Sequence, residues 1–517
     1  MSTPSQRFPR ALYTASEVRA LDQRAIESGI AGIDLMRRAA ESALQHLLGH
    51  WPQTRRVLVW AGSGNNAGDG YLLAKLAHEQ GLEAAVLAIA DPSVLDGDAA
   101  TAYAQATAAG VEVLAANEGY ALFEQTNSVW VDALFGTGLQ RELTGDFRRA
   151  VECMNAASMP VLALDIPSGL SADTGAVFGV AVKADATVTF VALKRGLFTL
   201  HANDLVGELH LSDLGIPKEI IESSPASVQR LDIYSSVCSL PPRARNSHKG
   251  SHGHVLVVGG DNGYGGACVL AAEAALSSGA GLVSVVTRSV NRAGILARRP
   301  ELMVVGTEDG NGVQDSEWLR DLLKRASAIV IGPGLGRGEW GRQLWSIVKA
   351  VAKARSISLV IDADGLFFLH EDQVRNTHSE VSKSLRPWVI TPHPGEAALL
   401  LDSSIPDIQR DRFAAVASLA SRYRCQALIK GAGSVLCIDK QQLLLCTEGN
   451  AGMAVAGMGD VLSGLVGGLI AQGLTPTDAL QAAVSVHGEA GDLAAAEHGQ
   501  RGLMASELFP EIRRLLN

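Results

Sequence analysis

The sequence has few cysteines and no long uninterrupted apolar run, and both shortages exclude classes of protein. Its 6 cysteines lie far apart and form no CxxC pair, so neither a zinc ribbon nor a disulfide scaffold is supported. This usage predicts reduced thiols and a cytoplasmic protein. Residues 1–23 hold no apolar core of a secretory signal. The most apolar long stretch, residues 451–473, contains Asp460 and many glycines, which a lipid-facing helix tolerates poorly.

An excess of basic residues is also missing. The chain has 44 Lys and Arg against 54 Asp and Glu, a net charge of −10, which argues against a nucleic-acid coat or a polybasic membrane-surface protein. We therefore expect neither a nucleic-acid nor a membrane partner. Glycine, in contrast, is abundant, with 54 residues and no collagen period. The surplus is expected in tight turns and ligand-binding loops.

The 517 residues and their apolar runs predict two α/β domains. In each half, short apolar runs alternate with helical patterns, which is typical of parallel strands buried on both faces. The first half has runs at 57–60, 84–90, 128–134, 160–166 and 186–193, and the second at 254–260, 282–287, 328–334, 358–364, 388–394 and 427–433. A Ser-, Pro- and Arg-rich stretch separates the halves. We predict one domain at 1–225, a linker at 226–245 and a second domain at 246–517.

The first half carries a glycine-rich loop, AGSGNNAGDG at 61–70, directly after a predicted strand. Its glycines match a dinucleotide fingerprint, and Asp91 ends the next predicted strand, where a ribose-binding acid could lie. Asn65, Asn66 and Asp69 argue against a standard dinucleotide site, because three polar side chains there suggest ligands for something besides phosphate. A tight turn without a ligand is the simpler alternative.

Polar side chains also follow two later strands of the first half. Asp132 lies in VDALFGTGLQRE, and Asp165 and Ser168 lie in LDIPSGL. Ligands of open parallel sheets bind at the carboxyl ends of strands, so we expect these groups to converge with Asn66 there. Each aspartate alone could equally be a helix cap or a turn former.

The second half carries its chemistry in AGMGD, residues 456–460, before a helix of small residues. Amide N–H groups at a helix N-terminus form an anion site, and Asp460 could take a proton from an attacking hydroxyl or merely favour the helix dipole. KGAGS, residues 430–434, is a candidate nucleotide contact, whereas the P-loop and protein-kinase motifs are absent. His393 could be a turn histidine, and Asp362 and Asp364 could lie near a Mg²⁺–nucleotide or cap a helix.

The motifs GSGNNAGDG, DALFGTGL, DIPSGL and FVALKRGL resemble the YjeF N-terminal domain, the NAD(P)H-hydrate epimerase family. The resemblance implies a Rossmann-like three-layer α/β/α domain that interconverts the R and S forms of 6-hydroxylated NADH and NADPH (NADHX and NADPHX). It implies a K⁺ ion held by Asn66, Asp132 and Ser168, and catalysis by Asp165, assisted by Lys194. The implied substrate contacts are Asn65, Asn66, Ala67, Gly68, Asp69, Gly136, Thr137, Gly138, Leu139, Gln140, Arg141, Glu142 and Asp165.

The motifs GPGLG, TPHPGE, KGAGS and AGMGD, in that order, resemble the YjeF C-terminal family of ADP- or ATP-dependent NAD(P)H-hydrate dehydratases. The resemblance implies a ribokinase-like α/β domain in which Mg²⁺ and a nucleotide, ADP giving AMP, phosphorylate the C6 hydroxyl before phosphate leaves. Asp460 would be the base. The implied nucleotide contacts are Lys430, Gly431, Ala432, Gly433, Ser434 and Gly459. The implied hydrate contacts are Ala267, Gly334, Gly336, His393 and Asp460.

The two resemblances together predict a bifunctional nicotinamide-nucleotide repair enzyme, expected to be a homo-oligomer. One alternative is a ribokinase-like small-molecule kinase with an N-terminal nucleotide sensor. Another is a non-catalytic NAD(P)-binding or lipoprotein-partner module. The set of Asn66, Asp132 and Asp165 argues against a pure scaffold, which has no need of converging carboxylates.

Overall fold

A computed structural model describes residues 8–115, 124–307, 317–375 and 385–517. The chain divides into two compact units between Gln229 and Arg230. The segment 226–245, predicted as a linker, contains strand Val228–Arg230 and helix Ile233–Val237. Across the described ranges, no helix combines the length and apolarity needed to cross a bilayer.

The N-terminal unit is a parallel sheet with helices on both faces. Its strands are β1 Ala11–Leu12, β2 Arg56–Ala61, β3 Glu83–Ala88, β4 Glu112–Ala115, β5 Ser128–Ala133, β6 Val161–Leu164, β7 Ala186–Phe190, β8 Glu208–Ser212 and β9 Val228–Arg230. Its helices are α1 Ala15–Glu27, α2 Gly32–His50, α3 Asn65–Glu79, α4 Gly97–Ala108, α5 Gly145–Ala156, α6 Ala202–Leu205 and α7 Lys218–Glu222. The main sheet has the order β4-β3-β2-β5-β6-β7-β8, and all its neighbours are parallel. β1 pairs antiparallel with β9.

Strand β2 shows why the apolar runs are continuous rather than alternating. Val57 and Val59 pack in the cluster on one face of the sheet, and Leu58 and Trp60 pack in the cluster on the other. Both faces of the strand are therefore covered by helices, as parallel sheets require. This arrangement gives the three layers, α/β/α, predicted from the sequence.

The C-terminal unit is a mixed sheet with helices. Its strands are β10 His254–Val258, β11 Leu282–Arg288, β12 Met303–Thr307, β13 Ala328–Ile331, β14 Ser358–Ile361, β15 Trp388–Ile390, β16 Gln426–Ile429, β17 Ser434–Ile438 and β18 Gln442–Cys446. Its helices are α8 Ile233–Val237, α9 Gly265–Ser277, α10 Arg292–Arg298, α11 Glu317–Arg325, α12 Glu339–Arg355, α13 Asp364–Arg375, α14 Pro394–Leu401, α15 Ile405–Arg410, α16 Arg412–Tyr423, α17 Met458–Ala471, α18 Pro476–His498 and α19 Leu508–Leu515.

These strands follow one another in the order β18-β17-β16-β15-β14-β13-β10-β11-β12. All pairs among strands β10 to β16 are parallel. The pairs β16–β17 and β17–β18 are antiparallel. The prediction of two α/β domains with mostly parallel sheets is confirmed. The antiparallel strands and edge strand β12 were not predicted from the sequence.

Helices α9 and α17 touch through small residues in the C-terminal core. A Cβ on Gly464 of α17 would overlap the carbonyl oxygen of Ala271 in α9, and one on Gly468 would overlap Ser278 Oγ. Glycine therefore lets two helix backbones approach closely at these positions. Part of the glycine surplus serves packing rather than ligand binding.

Replacing Gly464 by valine is expected to destabilise the C-terminal unit by about 3 kcal/mol, because backbone must move to admit the side chain. Denaturant unfolding of the full chain measures the change. Gly294→Ala is the matched control, since Gly294 lies in helix α10 and no described neighbour comes within 4 Å of the position that a Cβ would take there. Equal stability of the two variants would contradict the packing argument.

Candidate functional site

The N-terminal unit holds a cavity of about 480 Å³ at the carboxyl end of its sheet. Its walls come from the loop that opens α3, the loop after β5, the ends of β6 and β7, and helix α1. The structure brings nine predicted substrate or catalytic residues to this cavity: Asn65, Asn66, Asp69, Gly136, Thr137, Gly138, Leu139, Asp165 and Lys194. The expected convergence of strand-end loops is thus observed.

An ion pair between Asp165 and Lys194 lines this cavity. Lys194 Nζ donates to Asp165 Oδ1, and also to Thr189 Oγ1 at 3.0 Å and to the carbonyl oxygen of Phe190 at 2.7 Å. The Lys194 side chain is 1% exposed and that of Asp165 is 16% exposed. Asp165 has a left-handed backbone with φ 65°, which aspartate adopts more readily than most residues. A buried ammonium is therefore fixed beside one partly accessible carboxylate.

Three further carboxyl groups line the cavity, those of Asp22, Asp69 and Asp98. Burial raises the pKa of Asp69 well above its ordinary value, and the charges of Asp165 and Asp22 add to the shift. Burial also raises the pKa of Asp22 to about 6, with Lys194 opposing and Asp165 reinforcing. The cavity thus combines the Lys194 ammonium with four carboxyl groups, and burial raises the pKa of two of them, Asp22 and Asp69. This arrangement suits acid–base chemistry.

Asp132 and Ser168 form a second polar pair directly behind the loop at Phe135. Ser168 Oγ lies 2.6 Å from Asp132 Oδ1, and the amide of Ser168 donates to Asp132 Oδ2 at 2.7 Å. The amide of Phe135 donates to Ser168 Oγ at 2.9 Å. Asp132 is completely buried, and burial raises its pKa to about 6 although these hydrogen bonds favour the charged form.

Asn66 is buried, and neither Oδ1 nor Nδ2 of its side chain has a hydrogen-bond partner among the described residues. A Cβ on Gly136 would lie 3.5 Å from both Asn66 Cβ and Asp165 Oδ2, so Asn66 adjoins the acid–base residues. An unpaired buried amide is costly unless a ligand satisfies it. The amide, carboxylate and hydroxyl oxygens of Asn66, Asp132 and Ser168 are the donors that a hard cation prefers.

Some predicted contacts do not line the cavity. Ala67 is fully buried in the core, and a Cβ on Gly68 would contact Met36 and Ala99, so both serve the packing of α3. Gln140, Arg141 and Glu142 are also outside the cavity lining. The candidate ribose acid Asp91 instead caps a short turn, where it accepts a hydrogen bond from the amide of Ser93 at 2.9 Å.

The C-terminal unit has its own charged cluster around Lys430. Lys430 Nζ donates to Asp362 Oδ1 at 2.8 Å and lies 3.9 Å from Glu396 Oε2. Burial opposes the charge of Lys430, but Asp362 and Glu396 raise its pKa above the ordinary value. Burial raises the pKa of Asp460 to about 7, and the charge of Asp362 adds to this. Burial likewise raises the pKa of Glu396 to about 7, against the pull of Lys430.

The AGMGD loop brings Asp460 into this cluster. Gly457 is the N-cap of α17 with φ 94°, and Asp460 lies in the first turn. A Cβ on Gly459 would lie 3.1 Å from Lys430 Nζ and 3.7 Å from Asp362 Oδ2. The ammonium therefore lies beside the N-terminus of α17, where amide N–H groups and the helix dipole favour an anion.

The other predicted residues of this unit lie in a helix cap and in glycine-containing loops. His393 caps α14: its Nδ1 accepts from the amide of Gly395 at 3.0 Å, while its own amide donates to Glu396 Oε2 at 2.8 Å. A Cβ on Gly334 would lie 3.3 Å from Ala267 Cβ, so these two predicted hydrate contacts are neighbours in the structure. The amide of Gly336 donates to Asp364 Oδ2 at 3.0 Å. Asp364 therefore orders this loop, and its charge also contributes to the raised pKa of Glu396.

Comparison with known proteins assigns each of the two units to a protein family. The family model described as "YjeF-related protein N-terminus" matches residues 32–196, and the one described as "NAD(P)H-hydrate dehydratase" matches residues 255–514. The chain is 42% identical over 506 residues to the bifunctional NAD(P)H-hydrate repair enzyme Nnr of Coxiella burnetii, covering 98% of this chain and 99% of that protein. The chain belongs to the bifunctional NAD(P)H-hydrate repair enzymes.

A second relative of this repair enzyme is also similar along nearly its whole length. The bifunctional NAD(P)H-hydrate repair enzyme Nnr of Escherichia coli K12 is 40% identical, with 99% of this chain and 95% of that protein aligned.

Similar solved structures cover about half of the chain. A ribokinase-like superfamily protein of Enterococcus faecalis shows a TM-score of 0.49 at 26% identity, covering 56% of this chain and 95% of that chain. A Bacillus subtilis ADP/ATP-dependent NAD(P)H-hydrate dehydratase, co-crystallised with ATP/Mg²⁺, shows 0.46 at 26%, covering 55% and 96%.

Sequence reasoning missed Asp22 at the first site of this repair enzyme and the pairing of Lys430 with its acidic neighbours at the second. Asp22 lies in an ordinary amphipathic helix with a Thr14–Glu17 capping box, so nothing in the local pattern marks it as a cavity residue. Glu396 was visible only as part of the TPHPGE motif, and the pairing of Asp362 with Lys430 spans 68 positions. Asp362 directly follows an apolar strand, and a charged residue at that place was the one sequence feature that marked it as a candidate site residue.

Proposed function

We propose that the N-terminal unit epimerises NADHX and NADPHX and that the C-terminal unit dehydrates the S epimers with ADP, giving AMP and phosphate. The observation that carries this proposal is that each unit has its own acid–base centre built on a lysine and a buried or partly buried aspartate: Lys194 with Asp165, and Lys430 with Asp362. Membership of the repair family supports one activity for each unit.

In the epimerase unit, Asp165 is the proposed acid–base group at the C6 hydroxyl. Lys194 holds Asp165 Oδ1, so the second carboxylate oxygen is the one available to substrate. Asn65, Asn66 and Asp69 of one loop and Gly136–Leu139 of the other line the cavity of about 480 Å³ and would contact the hydrate. K⁺ on Asn66, Asp132 and Ser168 would supply positive charge beside the anionic dinucleotide.

In the dehydratase unit, Asp460 is the proposed base that takes the proton of the C6 hydroxyl as it attacks the terminal phosphoryl group of the nucleotide. The N–H groups at the start of α17 and the Lys430 ammonium would stabilise the developing phosphate charge. Departure of phosphate from C6, with loss of a proton from C5, then forms the C5–C6 double bond and restores the reduced nicotinamide. Ala267, Gly334, Gly336 and His393 stay proposed hydrate contacts, and Lys430–Ser434 with Gly459 proposed nucleotide contacts.

Mg²⁺ fits the dehydratase unit as a partner of the nucleotide phosphates. Within the ranges that the structure describes, no three carboxylate, thiol or imidazole groups converge as metal ligands. Mg²⁺ in nucleotide sites is commonly held by one or two carboxylates together with phosphates and water. Asp362 and Glu396, both beside Lys430, are the carboxylates that would hold it, and the ion would supply charge neutralisation to the phosphates.

The proposal is tested by giving the purified chain mixed NADPHX epimers with ADP and Mg²⁺ and following absorbance at 340 nm. Complete recovery of NADPH is expected. Persistence of the R epimer would show that the N-terminal unit is not an epimerase. A phosphorylated product that accumulates without dehydration would favour the small-molecule kinase alternative. Replacing ADP by ATP decides the phosphate donor.

Potassium is expected to raise the melting temperature of the N-terminal unit by a few degrees relative to choline chloride at equal ionic strength, because bound ligand stabilises the folded state. The Asp132→Asn and Ser168→Ala variants are expected to lose this difference. Asp173→Asn is the control, since Asp173 accepts an amide hydrogen bond from Ala15 and lies outside the cavity lining. The same melting temperature in both salts for the unmodified chain would contradict the cation site.

Location and assembly are proposals from the sequence. We propose a cytoplasmic homo-oligomer without nucleic-acid or membrane partners. All 6 cysteines are free thiols in the structure, which is in line with a reducing compartment. Light scattering of the purified chain during size-exclusion chromatography measures the oligomeric state.

A further inference from the structure

Arg412 is a buried arginine directly beneath the KGAGS loop at 430–434. It is the first residue of α16 and is 1% exposed. Its Nη1 donates to the carbonyl oxygen of Ala432 at 2.8 Å, and its Nη2 donates to that of Ile429 at 3.1 Å. One planar guanidinium thus spans the loop and fixes a carbonyl at each side of Gly431.

The backbone of the loop is shaped around this side chain. Gly431 has φ 147°, and a Cβ there would lie 2.8 Å from Arg412 Nη2. The carbonyl oxygen of Gly431 accepts from Ser434 Oγ at 3.0 Å. Glycine at 431 is therefore required both by the backbone conformation and by the closeness of the guanidinium.

Fixing these carbonyls also fixes the direction of the neighbouring amides. In a trans peptide, the C=O and the following N–H point in opposite directions. The carbonyl of Ala432 points at Arg412, so the N–H of Gly433 points away from the buried guanidinium. By the same geometry, the N–H of Ala432 points away from the Ser434 hydroxyl. These fixed directions limit the orientations that the loop amides can adopt, and loop amides are common donors to phosphate oxygens.

Burying a guanidinium carries a free-energy cost that a helix surface position would avoid. Burial lowers the pKa of Arg412 to about 10, so the group stays protonated near neutral pH. Its hydrogen bonds to the loop offset part of this cost. Charged donors in this place hold the loop more firmly than an apolar side chain of the same volume would.

We propose that Arg412 is a positioning residue that pre-organises loop 430–434 for binding the phosphates of the nucleotide. It acts through the loop backbone and does not touch the reacting atoms. The inference rests on the proposed dehydratase function only for the identity of the ligand, an adenine nucleotide. Pre-organisation predicts an effect on nucleotide affinity, since without Arg412 the ordering of the loop would oppose binding.

The test compares Arg412→Met and Arg412→Lys in the full chain. For Arg412→Met, the Kd for Mg²⁺–ADP by calorimetry and the KM for ADP are expected to rise about tenfold or more, with kcat changed less than threefold. Arg412→Lys keeps the charge but cannot span both carbonyls, so an intermediate Kd is expected. The epimerase rate of the same chain is expected to stay unchanged and reports the amount of folded N-terminal unit. A melting curve reports whether the C-terminal unit is folded.

The matched control is Tyr423→Phe. Tyr423 is a buried residue of the same helix whose hydroxyl donates to the carbonyl oxygen of Leu400 at 3.0 Å, so this variant also removes one buried side-chain-to-backbone bond. Its Kd for ADP is expected to match that of the unmodified chain. If Arg412→Met does not fold, Gly431→Ala tests the same contact from the loop side and is expected to weaken ADP binding in the same direction.

The outcomes separate this inference from the proposed function. A chain that binds ADP but fails to dehydrate NADPHX, and whose Arg412→Met variant binds ADP weakly, would overturn the function and support the positioning role. Unchanged Kd and KM in Arg412→Met, with only a lower melting temperature, would overturn the positioning role. Equal weakening by Tyr423→Phe would also overturn it, because the effect would then belong to the helix as a whole.

Discussion

Asp460→Asn is expected to lower the dehydratase rate by about 10²–10⁴, the usual contribution of a general base. The carboxylate lies in the first turn of α17, in the electrostatic neighbourhood of Lys430, Asp362 and Glu396. Asparagine has nearly the same shape but cannot accept the proton of the C6 hydroxyl. Progress at 340 nm with S-NADPHX, ADP and Mg²⁺ measures the change.

The control for Asp460→Asn is Asp478→Asn. Asp478 lies in the first turn of α18, so its replacement removes a comparable interaction with a helix dipole outside the Lys430 cluster. The dehydratase rate of this control is expected to stay within twofold of the unmodified chain. Near-normal dehydration by Asp460→Asn would remove the base assignment and leave Asp460 as a helix-terminal residue.

The pH dependence of dehydration follows from the same residue. Burial raises the pKa of Asp460 to about 7, so its ionised, proton-accepting form declines as the pH falls through that value. The dehydratase rate at saturating substrate is therefore expected to fall about tenfold for each pH unit below about 6. A rate independent of pH between 5 and 8 would contradict a base with this pKa.

Asp165→Asn is expected to lower the epimerase rate by about 10²–10⁴ while the dehydratase rate on the S epimer is retained. The reason is twofold, since the variant loses the acid–base group and leaves the buried Lys194 ammonium without its carboxylate. Epimerisation alone is measured in a reaction without ADP or ATP, in which chromatography follows the equilibration of R- and S-NADPHX.

The Asp173→Asn variant is again the control for the N-terminal unit, because Asp173 accepts a backbone hydrogen bond outside the cavity. Melting curves show whether Asp165→Asn is folded at the assay temperature. If the folded variant still epimerises at the normal rate, another cavity carboxyl group is the acid–base residue. Asp22 and Asp69 are then the candidates, since the pKa of each is raised by burial.

Much of both sites could be predicted from the sequence because their residues follow strands. Apolar runs predict the strands, parallel strands share a carboxyl edge, and polar residues after them must meet there. This reasoning correctly brought Asn66 and Asp165 together at one cavity, and the same strand-end logic brought Asp132 to Ser168. Ala67 and Gly68, which the resemblance implied as substrate contacts, instead face the core, because both lie in the first turn of α3 on its packed side.

By itself the sequence determined the two α/β units, the glycine loops at their strand ends and the family resemblance, since these depend on local periodicity and on residues close together in the chain. Only the tertiary structure decided which charged groups face one another. Asp22 reaches the cavity from helix α1, Asp362 meets Lys430, and Arg412 lies beneath Gly431. Such contacts depend on how helices pack across a sheet, and no short stretch of sequence encodes that packing.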